Sequence, residues 1–119
     1  MEGVKKAHRE RSLAYWNEKF KHGITYQQYS KICRQCIPKD IKSKTIKFEI
    51  EADHIFSVKD CWDNKIHPYY ASSEKNLRLV KAEVNKAKGS NSLCTLDEFL
   101  SMVGVQRLSK AQFNWKQVE

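Results

Sequence analysis

Between Ile46 and Lys88 the chain changes its hydrophobic period twice, and this constrains the fold more than any other feature. Ile46-Lys47-Phe48-Glu49-Ile50-Glu51-Ala52 alternates apolar and charged residues, the period of a half-buried strand. About twenty residues follow without a strong period, with Asp63-Asn64 and His67-Pro68 as turn signals. A stretch that long inside a domain is functional or carries small elements of its own. Leu77-Arg78-Leu79-Val80 then predicts a short strand, and residues 81–88 predict a helix stopped by Gly89. Strand, long loop, strand and helix, with helices on either side, predict an α+β domain.

The flanks are helical in pattern. Leu13, Trp16 and Phe20 share one face of a helix expected over 4–21, with Lys5, Lys6, Arg9 and Arg11 among its polar positions. Gly23 is expected to end it, and Thr25 to cap a second helix through about Ile32. Cys33-Arg34-Gln35-Cys36-Ile37-Pro38 then suggests a tight turn. Thr95-Leu96-Asp97-Glu98 is a capping box for a helix to about Val103. Ser109 is expected to cap a last helix carrying Phe113 and Trp115. The whole, 1–119, divides into an N-terminal helical part (1–36), a central core (46–92) and a C-terminal helical part (93–119). Trp16, Trp62 and Trp115 are expected in packing rather than as base-stacking platforms, and His67 in loop packing.

A net charge of +8 favours an acidic partner, nucleic acid before an anionic membrane surface. No apolar run approaches the roughly 18 residues of a membrane span. The basic start is followed by no apolar leader segment, so no signal peptide is expected. Cys33, Cys36, Cys61 and Cys94 are therefore read as thiols of a reducing compartment, or as part of a metal site, rather than as disulfides.

Three pieces of the centre carry chemistry. Asp53-His54 closes the first strand, Asn76 precedes the second, and Asn85 lies in the helix. At a strand end the chain can bend so that two adjacent side chains reach one cleft. Lys81, Asn85 and Lys88 share a helix face, while Val80, Val84 and Ala87 form a neighbouring apolar face expected to pack on the strands. An amide between two lysines suits a metal and a phosphodiester. Asp and Asn oxygens suit a hard divalent cation, and a neutral imidazole can deprotonate water.

Glu51-Ala52-Asp53-His54-Ile55, Lys75-Asn76-Leu77-Arg78-Leu79 and Asn85-Lys86-Ala87-Lys88-Gly89, in this order and at these gaps, resemble the signature of the HNH nucleases. The cadence is similar to small phage-encoded members and to the HNH domain of RNA-guided nucleases. The resemblance covers about residues 46–92 and implies a ββα-metal core flanked by N-terminal and C-terminal helices. It implies a DNA endonuclease dependent on one divalent ion, Mg²⁺ or Mn²⁺, that nicks one strand per active site. Asp53 and Asn85 would be metal ligands and His54 the general base. Asn76 would bond the loop backbone and hold His54 in orientation. Lys81, Lys86, Lys88 and, more weakly, Arg78 would meet DNA phosphates.

Many relatives carry two Cys-x-x-Cys pairs for a structural zinc. Cys33 and Cys36 stand where the first pair would be, but Lys81 and Val84 occupy the place of the second, which excludes that four-cysteine site. A rearranged zinc site would need Cys61, Cys94 or His67; the simpler expectation is two buried thiols. A homodimer, or a phage or host protein, is the expected protein partner, and the cytoplasm the expected location. The competing readings are a non-catalytic DNA-binding or regulatory module on an HNH scaffold, and a zinc-stabilised interaction domain.

Overall fold

Capping chemistry sets most of the helix boundaries in the computed structural model, which describes residues 13–119. Residues 13–19 are helical (α1), and the chain turns through Gly23 into the two-residue strand β1, Ile24–Thr25. Residues 4–12 of the expected first helix, with Lys5, Lys6, Arg9 and Arg11, lie outside the described part. Thr25 caps α2, Tyr26–Gln35, in a reciprocal box with Gln28. Pro38 opens α3, Lys39–Phe48, which ends on Glu49 in the left-handed conformation at φ 53°.

Strand β2, Glu51–His54, follows directly. Then come two short helices, α4 (Val58–Asp63) capped by Ser57 and α5 (Pro68–Ala71) capped by His67. A 3-10 turn, Glu74–Asn76, leads into β3, Leu77–Val80, and then α6, Ala82–Lys88. The capping box at Thr95 and Glu98 opens α7, Leu96–Val103, as the sequence predicts. Helix α8, Leu108–Ala111, and strand β4, Gln117–Val118, complete the described chain.

The fold is α+β, with two small sheets. Strands β2 and β3 are antiparallel, pairing Asp53 with Arg78 and His54 with Leu77. Strands β1 and β4 are parallel, pairing Ile24 with Gln117 and Thr25 with Val118. Gly23 has φ 139°, a conformation that favours glycine, and a Cβ there would stand 3.2 Å from Val118 Cγ1, a tight contact that the valine would have to yield to.

The core lies between α2, α4, α7 and the C-terminal segment. Trp115, Tyr29, Phe99, Ile24 and Ile66 are fully buried. Phe113 stacks on Trp115 at 4.4 Å and Phe56 on Phe99 at 5.0 Å. Burying an aromatic of this size removes roughly 200 Å² from water, worth up to about 5 kcal/mol. Trp62 and Trp115 belong to this core and Trp16 packs against it, as expected. No helix among the described residues is long and apolar enough to cross a membrane.

Four sequence expectations are corrected. Residues 46–48 belong to α3, and the strand begins only at Glu51. Ile46 is 80% exposed and Phe48 58% exposed, so the alternation there does not report burial. Cys33 lies in the last turn of α2 with Cys36 as its C-cap, so the turn expected over Cys33 to Pro38 is confined to Cys36, Ile37 and Pro38. Phe113 and Trp115 lie beyond α8 in extended chain, and Arg107 rather than Ser109 is its N-cap residue. Val84 and Ala87 point outward; α6 turns Asn85 and Lys88 inward instead. The reason is electrostatic, since a buried carboxylate on β2 needs a cation from α6.

Candidate active site

Strand β2 ends in two buried polar residues, Asp53 (4% exposed) and His54 (8% exposed), and both line one cleft of about 180 Å³. Asn85, Lys88 and Gly89 of the α6 end line the same cleft. The sequence places the bend where it is needed: β2 is tied to β3 only through His54, after which the chain turns into the Ser57 cap.

Asp53 is held by two cations. Arg78, opposite it in the ladder, donates from Nε to Oδ2 at 2.7 Å. Lys88 places Nζ 3.0 Å from Oδ1, and its side chain is only 6% exposed. These contacts give the buried carboxylate the partners that low-dielectric surroundings demand. Arg78 and Lys88, both expected at DNA phosphates, are therefore engaged with Asp53, while Lys81 and Lys86 are exposed. Asn85 Nδ2 donates to Glu51 Oε1 at 2.8 Å, a pairing that joins α6 to the start of β2. Glu51 is a member of this arrangement that the motifs do not single out, although it shares a strand face with Asp53 at i and i+2.

His54 faces a second network. Its Nε2 lies 2.9 Å from Ser72 Oγ, and Ser72 Oγ donates to the Cys33 carbonyl of α2. Burial lowers the His54 pKa to about 4; the Asp53 carboxylate opposes this and Lys88 reinforces it. The imidazole is thus neutral at physiological pH. Ser72 belongs to no motif. Its only signal in the sequence is its position just after the Pro68 turn.

Asn76 is fully buried and clamps the loop. Its Oδ1 accepts from Phe56 N at 2.8 Å, and its Nδ2 donates to Phe56 O at 3.1 Å and Ala71 O at 2.8 Å. The Ile55 amide also donates to the Asn76 carbonyl at 2.8 Å. Asn76 thereby fixes both the chain leaving His54 and the chain entering Ser72. The imidazole's own hydrogen-bond partner is Ser72.

His67 is buried as the cap of α5, its Nδ1 accepting from Tyr69 N at 3.1 Å, in keeping with a packing role. Cys33 is fully buried and Cys36 half-buried, both as free thiols. Burial raises the Cys36 thiol to about 11 and Cys33 further still. Among the described residues no group of three or more His, Cys, Asp or Glu side chains is gathered to hold a metal. No family model, no curated protein and no solved structure matches this chain.

Proposed function

We propose that the protein is a metal-dependent endonuclease of the HNH type, hydrolysing DNA phosphodiester bonds and nicking one strand per active site. The observation that carries this reading is the shared cleft of Asp53, His54 and Asn85, presented by an antiparallel strand pair and the helix that follows it. On this reading β2, β3 and α6 are the ββα-metal core, and the other helices are its flanks.

The donor chemistry fits a hard divalent cation, since a buried carboxylate and a nearby amide both offer oxygen. Asp53 is paired with Arg78 and Lys88, so a divalent ion would take its place there by displacing one of these side-chain cations. Asp53 and Asn85 would hold Mg²⁺ or Mn²⁺. When bound, the ion would supply neutralisation of charge on the phosphate and the leaving oxygen. The chain's own residues do the rest. His54, neutral through burial, takes the proton of the attacking water. The same burial leaves it a weak base, and Asp53 is the neighbour that raises its basicity. Exposed Lys81 and Lys86, with the net charge of +8, favour DNA backbone as the partner. A double-strand break requires two protomers or successive nicks. The cytoplasm, of a host cell for a phage-encoded chain, is the compartment that suits four free thiols.

One observation favours a second reading. Asp53 has both oxygens occupied by side-chain cations, as it would in a DNA-binding module that keeps the scaffold without the metal. Plasmid nicking separates the two. The nuclease converts supercoiled to open-circular DNA with Mg²⁺ or Mn²⁺, stops with EDTA, and loses activity in His54→Ala while still binding DNA. Salt-dependent binding with no cutting under either metal sinks the nuclease reading and leaves the binding module.

A further inference from the structure

We infer that Ser72 is the positioning residue of His54, fixing its tautomer so that Nδ1 is left with the free lone pair. This rests on the reading of His54 as the base, and it names a residue outside the Asp53, His54, Asn76 and Asn85 set.

The supply of protons around Ser72 decides the tautomer. A carbonyl oxygen can only accept, so the Ser72 hydroxyl proton is spent on Cys33 O. Ser72 Oγ can then offer His54 only a lone pair, and the 2.9 Å contact requires the proton on Nε2. A neutral imidazole carries one N–H, so Nδ1 is bare. The opposite arrangement, with Nε2 accepting, would leave the Cys33 carbonyl without its donor.

That carbonyl needs one. It lies in the last turn of α2, where intrahelical donors run out, and the Ile37 amide turns to Arg34 O instead. Water offers little competition, because Ser72 is 1% exposed, Cys33 is fully buried and His54 is 8% exposed. The serine is held from both sides: its amide donates to Pro68 O at 3.0 Å, and the preceding Ala71 carbonyl accepts from Asn76 Nδ2. The relay therefore runs from the end of α2 through Ser72 to the base. It is also how Asn76, without touching the imidazole, orients it.

The test is ¹⁵N NMR of the His54 ring nitrogens at neutral pH in protein without added metal, assigned by their absence in His54→Ala. The wild-type ring is expected to carry its proton on Nε2, with Nδ1 bare. Ser72→Ala is expected to mix the two tautomers and to lower kcat for nicking by roughly tenfold with KM for DNA unchanged. Ser72→Thr, which keeps the hydroxyl, is expected to restore the single tautomer. A wild-type ring protonated on Nδ1 overturns the proposal and needs no variant to fold. So does a Ser72→Ala protein with the wild-type tautomer and kcat. If no form cuts DNA but the tautomer follows Ser72 as described, the positioning role stands and the nuclease reading falls.

Discussion

Lys88 Nζ lies 3.0 Å from Asp53 Oδ1 and is nearly as buried as the carboxylate it neutralises. A divalent ion on Asp53 would compete with this ammonium for the same oxygen. Removing the lysine charge in Lys88→Met leaves Arg78 as the sole partner and should cost about 2 kcal/mol, less than the full loss of a buried pair. Mn²⁺ should return part of that loss and should raise Tm more in the variant than in the wild type. Thermal melts with and without Mn²⁺ check this; no Mn²⁺ effect on either protein argues against Asp53 as a metal seat.

Asn85 is tied to the protein through a hydrogen bond to exposed Glu51, so its removal has little to destabilise. Asn85→Ala should keep its stability in EDTA within about 0.5 kcal/mol of wild type and weaken Mn²⁺ binding roughly tenfold. Thermal melts check the first and titration calorimetry the second; unchanged affinity removes Asn85 from the ligand set.

Asn76 presents the opposite balance. Its truncation to Ala would strand Phe56 N and Ala71 O in a buried place and leave Phe56 O only the weak Cys61 thiol donor. The expected loss is about 3 kcal/mol, or roughly 10–15 °C in Tm for a domain of this size. A variant that melts like the wild type would show that the loop is held by its other bonds.

Stability should fall on the acid side through His67. Burial lowers its pKa to about 4, while the unfolded chain keeps the ordinary value near 6.5. The unfolded state therefore takes up the proton first as pH falls. The stabilising contribution is complete above about pH 6.5 and is lost progressively down to about pH 4, some 3 kcal/mol in all at about 1.4 kcal/mol per pH unit. His54 acts in the same direction. His67→Asn keeps an acceptor for the Tyr69 amide and should flatten the curve; parallel acid titrations of the two proteins would contradict this.

Lys81, the N-cap residue of α6, and Lys86 within it are both exposed. Replacing both by Gln should weaken DNA binding at low salt and make the plot of log K against log salt shallower by about 2, near 0.9 for each phosphate no longer neutralised. An unchanged slope would place the DNA elsewhere on the surface.

Elements with a chemical start or stop are legible in the sequence. Thr95 and Glu98 announce α7, Thr25 announces α2, and Gly89 stops α6. Strand β3 follows its apolar pattern. The stretch at 46–48 shows why period alone can mislead, because Ile46 and Phe48 are exposed in α3 and the alternation they form with Ile50 belongs to no sheet. In the site, Asp53, His54, Asn76 and Asn85 can be picked out because each is chemically distinctive at its spacing. Ser72 and Glu51 cannot, since their roles arise only when α2, β2 and α6 come together. The inward turn of Lys88 is equally hidden: helical spacing gives its neighbours on α6 but not the carboxylate across from it.

The pairing of β1 with β4 has a consequence during biosynthesis. Trp115 fills the centre of the core, and the strand beside Ile24 comes from Gln117 and Val118. A nascent chain lacking these residues has no aromatic plug and no partner for β1, however long it waits. The Trp115 plug and the β1–β4 pair therefore close the core from the late end of the described chain, and neither can form before Val118 has left the ribosome.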